Sequence, residues 1–179
     1  MSSSSRSSSR HRSSSSKSSR SSSETPTSLV SENLAVRYRP RVLEDLVGQD
    51  HIVSEIRGMF KRNRVPSSIM LAGPTGLGKT TTARILARYI NCTARDAKTH
   101  QPCGECANCM MENHPDVIEL NAADTRGIDD VRKLIEQARN MPSMGAKRLF
   151  IIDEAQQLTP QAQQAILRPM EEPPKDTMW

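Results

Sequence analysis

The sequence predicts an α/β domain whose parallel sheet is flanked by helices. Apolar runs alternate along the chain with segments of helical periodicity, the order expected of parallel strands joined by crossover helices. One run, residues 149–152, has no polar face, as a strand covered on both sides should. A glycine-rich stretch at residues 73–78 lies between another apolar run and a helical pattern. Strand, glycine loop and helix in this order are typical of a phosphate-binding site.

Four helices and three strands are predicted after an extended leading segment. The leading segment is residues 33–49, with a turn at Pro40. Apolar residues that recur every three or four positions predict helices over residues 50–62, 79–91, 128–140 and 159–172. Thr159 is a candidate N-cap, with Pro160 at the first helical position. Strands are predicted over residues 67–73, 116–121 and 148–154.

The net charge of +5 belongs to one end of the chain. The sequence holds 25 Lys and Arg against 20 Asp and Glu, but residues 1–23 contain sixteen Ser, five basic residues and no acidic one. The remainder is therefore neutral. We predict a disordered tail over residues 1–32, because Ser and Arg cannot bury enough surface to offset the loss of conformational entropy. A basic arm that attracts phosphates and an organelle transit peptide are the alternative interpretations.

Composition excludes several classes of protein. No apolar run approaches the roughly 18 residues of a membrane span, and no apolar signal segment occurs near the N-terminus, so a soluble, non-secreted protein is predicted. The four Cys lie within 18 residues, too close together for a disulfide framework spread through a domain. With only five aromatic residues in 179, aromatic stacking on single-stranded nucleic acid is not a general theme of the chain.

Residues 73–80 satisfy the phosphate-loop pattern G-x-x-x-x-G-K-[ST] in full. Its glycines let the backbone turn tightly, so that successive N–H groups point at phosphates beside a helix N-terminus. Lys79 is expected to reach the terminal phosphates of ATP, and the Thr80 hydroxyl is placed to ligate Mg²⁺. A chance glycine loop is the alternative, which the apolar run before it and the helix after it disfavour.

Two acids, Asp153 and Glu154, end the third predicted strand. The carboxyl ends of parallel strands face the ligand crevice of such sheets. Asp153 would therefore hold the water shell of Mg²⁺, and Glu154 would orient or activate an attacking water. A solvated acidic pair is the alternative. Small-molecule kinases share the loop but do not need Glu154, so the combination predicts ATP hydrolysis coupled to movement.

The four cysteines predict a closed structural metal site in an insertion over residues 92–109. Four thiolates arranged as a tetrahedron are a common ligand set for Zn²⁺. An iron–sulfur cluster is the competitor, but bacterial ferredoxins have a fourth Cys where this chain has Asn113. Ordinary free thiols are the third interpretation, and His100 or His114 could replace the first cysteine as a ligand. The predicted ligands are Cys92, Cys103, Cys106 and Cys109.

These motifs together resemble one family, the ATPase (gamma/tau) subunit of the bacterial DNA polymerase III clamp loader. The resemblance covers about residues 33–179 and includes the phosphate loop and the four cysteines, which separate it from replication factor C subunits. One departure is Asp153-Glu-Ala-Gln, because the corresponding motif of the family usually contains His. The remaining matches are Tyr38-Arg-Pro, Asp45-Leu-Val-Gly-Gln, Asp153-Glu-Ala-Gln-Gln-Leu and Met170-Glu-Glu-Pro-Pro.

The resemblance implies an AAA+ ATPase core that works in DNA replication as part of a DNA polymerase holoenzyme. Such a subunit assembles with sister subunits, opens a sliding clamp and loads it on primer-template DNA. The implied cofactors are ATP, Mg²⁺ and Zn²⁺, and the implied location is the cytoplasm, at the nucleoid, or an organelle if the tail is a transit peptide.

The resemblance also implies residue roles. Arg126 matches a region that follows the DNA backbone, with an exposed arginine beside Asp124 and Asp129 as the alternative. The implied catalytic and Mg²⁺-linked residues are Lys79, Thr80, Asp153 and Glu154. The implied nucleotide contacts are Tyr38, Arg39, Pro40 and Val47 on the adenine side, and Gly73, Pro74, Thr75, Gly76, Leu77, Gly78, Lys79, Thr80 and Thr81 around the phosphates.

Finally, the resemblance implies that residues 33–179 are a partial ATPase domain, truncated at the C-terminus. In the family the strand that senses the γ-phosphate begins near Trp179 and lies between the strands predicted at residues 67–73 and 148–154. We therefore expect weak nucleotide binding and slow or undetectable hydrolysis from this chain alone. The alternatives are a nucleotide-binding assembly module without productive turnover, and another AAA+ DNA motor such as a Holliday-junction branch-migration protein, which would lack the cysteines.

Overall fold

The computed structural model describes residues 34–179, so the tail predicted over residues 1–32 lies outside the described residues. The leading segment begins with a short helix, α1 (Leu34–Arg37), and contains a single 3₁₀ turn, Leu43–Asp45. The extended conformation predicted for this segment is therefore wrong at both places. Leu43 is fully buried, which explains why the turn folds back onto the domain. None of the helices described is long and apolar enough to cross a membrane.

All four predicted helices are confirmed, and a short fifth lies within the cysteine segment. The last predicted helix has the expected start, because the Thr159 hydroxyl accepts a hydrogen bond from Ala162 N at 3.3 Å and Pro160 is its first residue. The helix predicted to reach residue 140 ends two residues earlier, where its last turn tightens. The helices are α2 (Asp50–Lys61), α3 (Lys79–Asn91), α4 (Ala107–Met110), α5 (Ile128–Ala138) and α6 (Pro160–Glu171).

The sheet is parallel, as predicted, with strand order β1 (Val117–Asn121), β2 (Arg148–Asp153) and β3 (Thr177–Met178). Its register sets Asn121 beside Asp153. The strand predicted over residues 67–73 is wrong, because only its first residues make ladder hydrogen bonds: Trp179 N donates to Ser67 O and Ile69 N to Trp179 O, both at 2.9 Å. Residues 177–179 thus lie between β2 and residues 67–69, where the sequence placed the next strand.

Apolar side chains cover both faces of the sheet. Successive strand residues point to opposite faces, so Leu149 and Met178 join one cluster with α2 and α3, whereas Phe150 and Trp179 join another with α5 and α6. The Phe150 and Trp179 rings stack with centroids 4.5 Å apart. This two-sided burial explains why β2 has no polar face, and it fixes the carboxyl end of β2 against the start of α3.

Candidate functional site

The phosphate loop connects residues 67–72 to α3 and is open to solvent. Residues 73–77 are exposed, and α3 begins directly after the loop at Lys79. Gly76 and Gly78 have φ values of +88° and +80°, in the left-handed region that side chains other than glycine rarely adopt. The loop therefore needs glycine at these two positions, and its residues turn around the N-terminus of a thirteen-residue helix.

Two side chains at the start of α3 tie the loop to its surroundings. Lys79 Nζ donates to the carbonyl oxygens of Gly73 at 2.9 Å and Pro74 at 3.0 Å. The Thr80 hydroxyl donates to Asp153 Oδ2 at 2.8 Å, joining residues that are 73 positions apart in the sequence. The two predicted motifs therefore meet at one place, where the N-terminus of α3 faces the carboxyl end of β2.

Glu154 follows directly and has a φ of +51°, in the left-handed region that costs a non-glycine residue about 1–2 kcal/mol. Its backbone N–H donates to Asp153 Oδ1 at 3.0 Å. The Gln156 amide nitrogen donates to the Glu154 carboxylate. Gln156 was not among the predicted site residues, although it stands in the motif whose usual form contains His. The turn thus holds both acids, partly buried, on the loop side of the sheet.

The predicted adenine-side residues include two largely exposed side chains, Val47 and Tyr38, and two residues that line a different cleft. Val47 is 93% exposed, but it follows the buried Leu46, whose side chain approaches a Cβ built on Gly78 to 3.9 Å. Tyr38 is 74% exposed. Arg39 and Pro40 line a separate cleft beside α3 that contains no residue of the phosphate loop.

Arg126, predicted to contact DNA, is exposed just before α5. Its backbone oxygen accepts a hydrogen bond from Thr159 N at 3.1 Å, which fixes its position against the start of α6. Thr81, the last predicted phosphate contact, is half-buried in the first turn of α3.

The four cysteine sulfurs form a compact cluster in which each lies within 4.8 Å of the others. Cys92 Sγ is 3.6 Å from Cys103 Sγ and 4.0 Å from Cys106 Sγ. A tetrahedron with zinc–sulfur bonds of about 2.3 Å has edges of about 3.8 Å, so the spacing fits a tetrahedral metal. Neither predicted substitute joins the cluster. His114 instead accepts a hydrogen bond at Nδ1 from Asp116 N.

The surroundings of Cys106 favour its thiolate. Burial raises the pKa of Cys106, but hydrogen bonds from Thr93 and Cys109 outweigh it and lower the pKa to about 6. Burial and the hydrogen bond with Cys106 raise the pKa of the Cys109 thiol. A cysteine that is ionised near neutral pH is the form that ligates metals.

Comparison with known proteins agrees with the geometry. The sequence model of a family described as "DNA polymerase III, delta subunit" matches residues 48–179. The chain belongs to this DNA polymerase III subunit family. It is 36% identical over 145 residues to DNA polymerase III subunit tau/gamma of Haemophilus influenzae, and 39% identical over 148 residues to subunit gamma/tau of Mycobacterium tuberculosis. The resemblance to gamma/tau subunits is therefore confirmed.

The match covers most of this chain and a small part of its relatives. It includes 79% of the chain and 21% of the Haemophilus protein, and 80% of the chain and 25% of the Mycobacterium protein. DNA polymerase III subunit tau of Bacillus subtilis, 36% identical over 145 residues, shows the same proportion, with 79% of this chain and 25% of that protein. The chain thus spans about a quarter of the curated relatives that it matches.

In this member of the polymerase III subunit family, two buried asparagines fasten the cysteine segment to the domain. Asn108, between two of the cysteines, donates from Nδ2 to Asn91 O at 2.7 Å and to Met144 O at 3.4 Å. The Asn91 side-chain oxygen accepts from Lys147 N at 2.9 Å. A Cβ added at Gly145 would lie 2.5–2.7 Å from the Asn91 side chain, so only glycine fits there. The loop before β2 is therefore held directly against the cysteine segment.

Asp116 holds the other side of the same loop. Its carboxylate is fully buried and accepts hydrogen bonds from Ser143 N, Ser143 Oγ, Met144 N and Gly145 N at 2.7–2.8 Å. Arg148 Nη2 lies 3.3 Å away. Burial alone would raise the pKa of Asp116, but these hydrogen bonds outweigh it and hold the pKa well below its usual range. No periodicity or motif in the sequence marks this role.

Proposed function

We propose that this chain is the ATP-binding and ATP-hydrolysing part of a subunit that loads sliding clamps onto DNA for a DNA polymerase III holoenzyme. The observation that carries the proposal is the 2.8 Å hydrogen bond between Thr80 Oγ1 and Asp153 Oδ2. In P-loop ATPases the hydroxyl at the end of the loop and the acid at the end of a neighbouring strand serve the same Mg²⁺. The α/β fold with helices on both faces of a parallel sheet is consistent with an AAA+ core over residues 33–179.

The residues of the loop suit a nucleoside triphosphate. Backbone N–H groups of residues 73 and 75–78, with Thr81, would surround the phosphates at the positive end of α3. Lys79 Nζ now donates to two loop carbonyl oxygens, and a phosphate would compete for those hydrogen bonds. Thr80 and Asp153 would hold Mg²⁺, which neutralises charge on the phosphates when bound. Glu154 would orient the attacking water, and Lys79 would stabilise the charge that develops on the phosphate.

The adenine side of this site is a further part of the proposal. Val47 is supported by its neighbour Leu46, whose side chain lies close enough to Gly78 to meet a Cβ there at 3.9 Å. Tyr38, Arg39 and Pro40 precede it in the leading segment and are proposed on the family resemblance alone.

The cysteine cluster would hold a structural Zn²⁺ in an insertion over residues 92–109. The proposal is supported by four sulfurs with tetrahedral spacing and by a cysteine that ionises near neutral pH. All four ligand positions would come from the protein, so the ion would supply stability to the segment rather than reaction chemistry. Because Asn91 and Asn108 hydrogen-bond the segment to the loop before β2, the ion would also stabilise this loop.

The names of the relatives, which are subunits of DNA polymerase III, support sister subunits of a hetero-oligomer as proposed partners. The sliding clamp, primer-template DNA and a location in the cytoplasm are proposed on the family resemblance alone. Arg126 would contact the DNA backbone, because it is exposed at the N-terminus of α5, where phosphate is favoured.

A second candidate is a nucleotide-binding assembly module without productive turnover. The hydrogen bond from Gln156 to the Glu154 carboxylate favours it, because the oxygen needed to orient water already has a partner. The two candidates share the phosphate loop and differ only in turnover.

Titration of the full chain with fluorescent ATP, followed by an assay of phosphate release, tests both. Lys79→Ala should weaken binding by about 10- to 100-fold, because hydrogen bonds to a charged phosphate are lost. Lys133→Ala is the control, since this exposed lysine of α5 pairs with the surface residue Asp130 and lies outside the phosphate loop. Binding with phosphate release supports the ATPase, and binding without release, also after the C-terminal part of a gamma/tau relative is fused to this chain, supports the assembly module. Equal affinity for parent and Lys79→Ala would overturn both.

A further inference from the structure

The cleft beside α3 that Arg39 and Pro40 line has a volume of about 570 Å³ and contains no residue of the phosphate loop. Its walls are the leading segment, α3 and the residues between the cysteine segment and β1. Arginines outnumber acids there by two, although residues 24–179 as a whole are neutral. The charged residues that line the cleft are Arg39, Arg41, Arg84, Arg88, Glu112 and Glu119.

The two acids do not neutralise the arginines evenly. Glu119 forms an ion pair with Arg84, which donates hydrogen bonds to both carboxylate oxygens at 2.6 Å. Glu112 is 3.5 Å from Arg41, and both side chains are largely exposed, so this pair contributes little. In the part of the chain that the structure describes, Arg88 has no carboxylate within 4 Å.

Of the arginines that line the cleft, Arg88 is the one that is half-buried without a carboxylate partner among the described residues. Within the described residues, its guanidinium makes one hydrogen bond, from Nη1 to the backbone oxygen of Arg41 at 3.3 Å. Burial, followed by the nearby charge of Arg41, lowers the pKa of Arg88. A guanidinium held beside like charges with most of its donors unused is a binding group for an anion.

We propose that this cleft binds the sugar–phosphate backbone of a single nucleic-acid strand, with Arg41 and Arg88 as its phosphate contacts. The chain beside the cleft supports a nucleic acid over an acidic peptide. Tyr38, directly before Arg39, is 74% exposed, and the Arg37 guanidinium lies 5.9 Å from its ring centre. An exposed aromatic ring among arginines is how proteins stack bases while holding phosphates. The cleft contains neither Arg126 nor a residue of the phosphate loop, and because Tyr38 and Arg39 are also proposed on the adenine side, Arg41 and Arg88 are the residues that distinguish this site.

The test is fluorescence anisotropy of a labelled oligothymidine with the full chain, over a series of salt concentrations. For a single strand, each phosphate contact contributes about 0.7 to the slope of log K against log salt, and so about fivefold in affinity at 0.1 M salt. Arg41→Gln and Arg88→Gln should each weaken binding by about fivefold and reduce the slope by about 0.7. Arg132→Gln is the control, an exposed arginine of α5. The basic tail is the same in all variants, so differences in slope report the cleft.

Two further variants separate the proposal from loss of folding. Arg88→Lys keeps the charge and should keep most of the slope of log K against log salt. Tyr38→Ala should weaken binding and leave this slope unchanged. Parental slopes in both Gln variants would overturn the proposal. The proposal would also be overturned if Arg41→Gln and Arg88→Gln weakened the binding of a polyglutamate peptide but not that of the oligonucleotide. That result would show a protein-docking surface. Both Gln variants should bind ATP normally, so failure here is distinct from failure at Lys79.

Discussion

The phosphate loop and the cysteine cluster reach their geometry in different ways. The loop site joins Thr80 and Asp153 across 73 residues of chain, and its polar groups already hydrogen-bond one another. The cysteines lie within 18 residues, and their sulfurs contact one another chiefly through weak S–H donors. The loop is thus arranged by the fold of the sheet, whereas the cluster is arranged by hydrogen bonds within its own short segment and by the two asparagines that fasten this segment to the domain.

This difference assigns different vulnerabilities to the two regions. A change in the loop site should affect function and leave the fold intact, because backbone hydrogen bonds and core packing hold its elements. A change in the cluster should affect the local fold first. The loop before β2 touches both regions, because it contacts Asn91 and Asn108 on one side and continues into the strand that ends at Asp153 on the other.

Loss of the proposed zinc should have the largest effect. Structural zinc contributes about 10–16 kcal/mol of binding free energy in small modules at neutral pH. Purified protein should contain one zinc per chain by elemental analysis, and Cys106→Ser should lose it and unfold at a lower temperature. Met110→Ser changes a residue that is 65% exposed in α4, the short helix that follows Cys106. This variant should keep both the zinc and the unfolding temperature of the parent. Iron in place of zinc, or an unchanged zinc content in Cys106→Ser, would contradict the assignment.

Removal of the proposed water-orienting acid should come next and should spare the fold. Glu154→Gln is expected to lower phosphate release by about 10²–10⁴-fold, the usual contribution of a positioned general base. Affinity for ATP and the thermal midpoint should stay close to those of the parent. Glu55→Gln, at an exposed position of α2, is the matched control. If binding and turnover fell together, Glu154 would be holding the loop in place.

Local patterns in the sequence predicted the elements that depend on neighbouring residues. The start of α3 followed from a glycine loop, and the start of α6 from Thr159 and Pro160. What escaped prediction depends on distant partners. Leu43 is buried by the domain around it, residues 70–72 have no ladder partner in the described chain, and the Asp116 carboxylate is matched to backbone N–H groups more than 25 residues away. None of these leaves a periodic pattern.

Asp116→Asn tests the loop between the two regions and should cost stability without touching either site. Removing the charge from a buried carboxylate with four hydrogen bonds and an arginine partner should lower the free energy of unfolding by about 3–5 kcal/mol. Urea unfolding measures it. Asp129→Asn, whose carboxylate pairs with Arg132 on the surface, should cost less than about 1 kcal/mol. A similar cost in both variants would mean that the buried charge is not what holds the loop.

The same variant predicts a pH dependence. The pKa of Asp116 is lower in the folded than in the unfolded protein, so its stabilisation is present above the unfolded value of about 3.9 and lost as pH falls through the folded value. The difference in unfolding free energy between parent and Asp116→Asn should therefore stay constant from pH 7 to 5 and shrink below about pH 4. Other groups titrate equally in both proteins, so the difference isolates Asp116. A difference that grew on acidification would have the wrong sign.

Gln156→Ala should have the smallest effect and distinguishes the ATPase from the assembly module. The Gln156 amide donates to the carboxylate that would orient water, so its removal frees an acceptor oxygen of Glu154. A net hydrogen-bond contribution of about 0.5–1.5 kcal/mol predicts a two- to tenfold rise in phosphate release, with ATP affinity unchanged. Gln157→Ala is the control, because the exposed neighbouring residue contacts Glu154 only through its backbone N–H. A fall in release would give Gln156 the opposite role, that of holding Glu154 in its working position. The positive φ of Glu154 would then be maintained by this side-chain contact as well as by the turn.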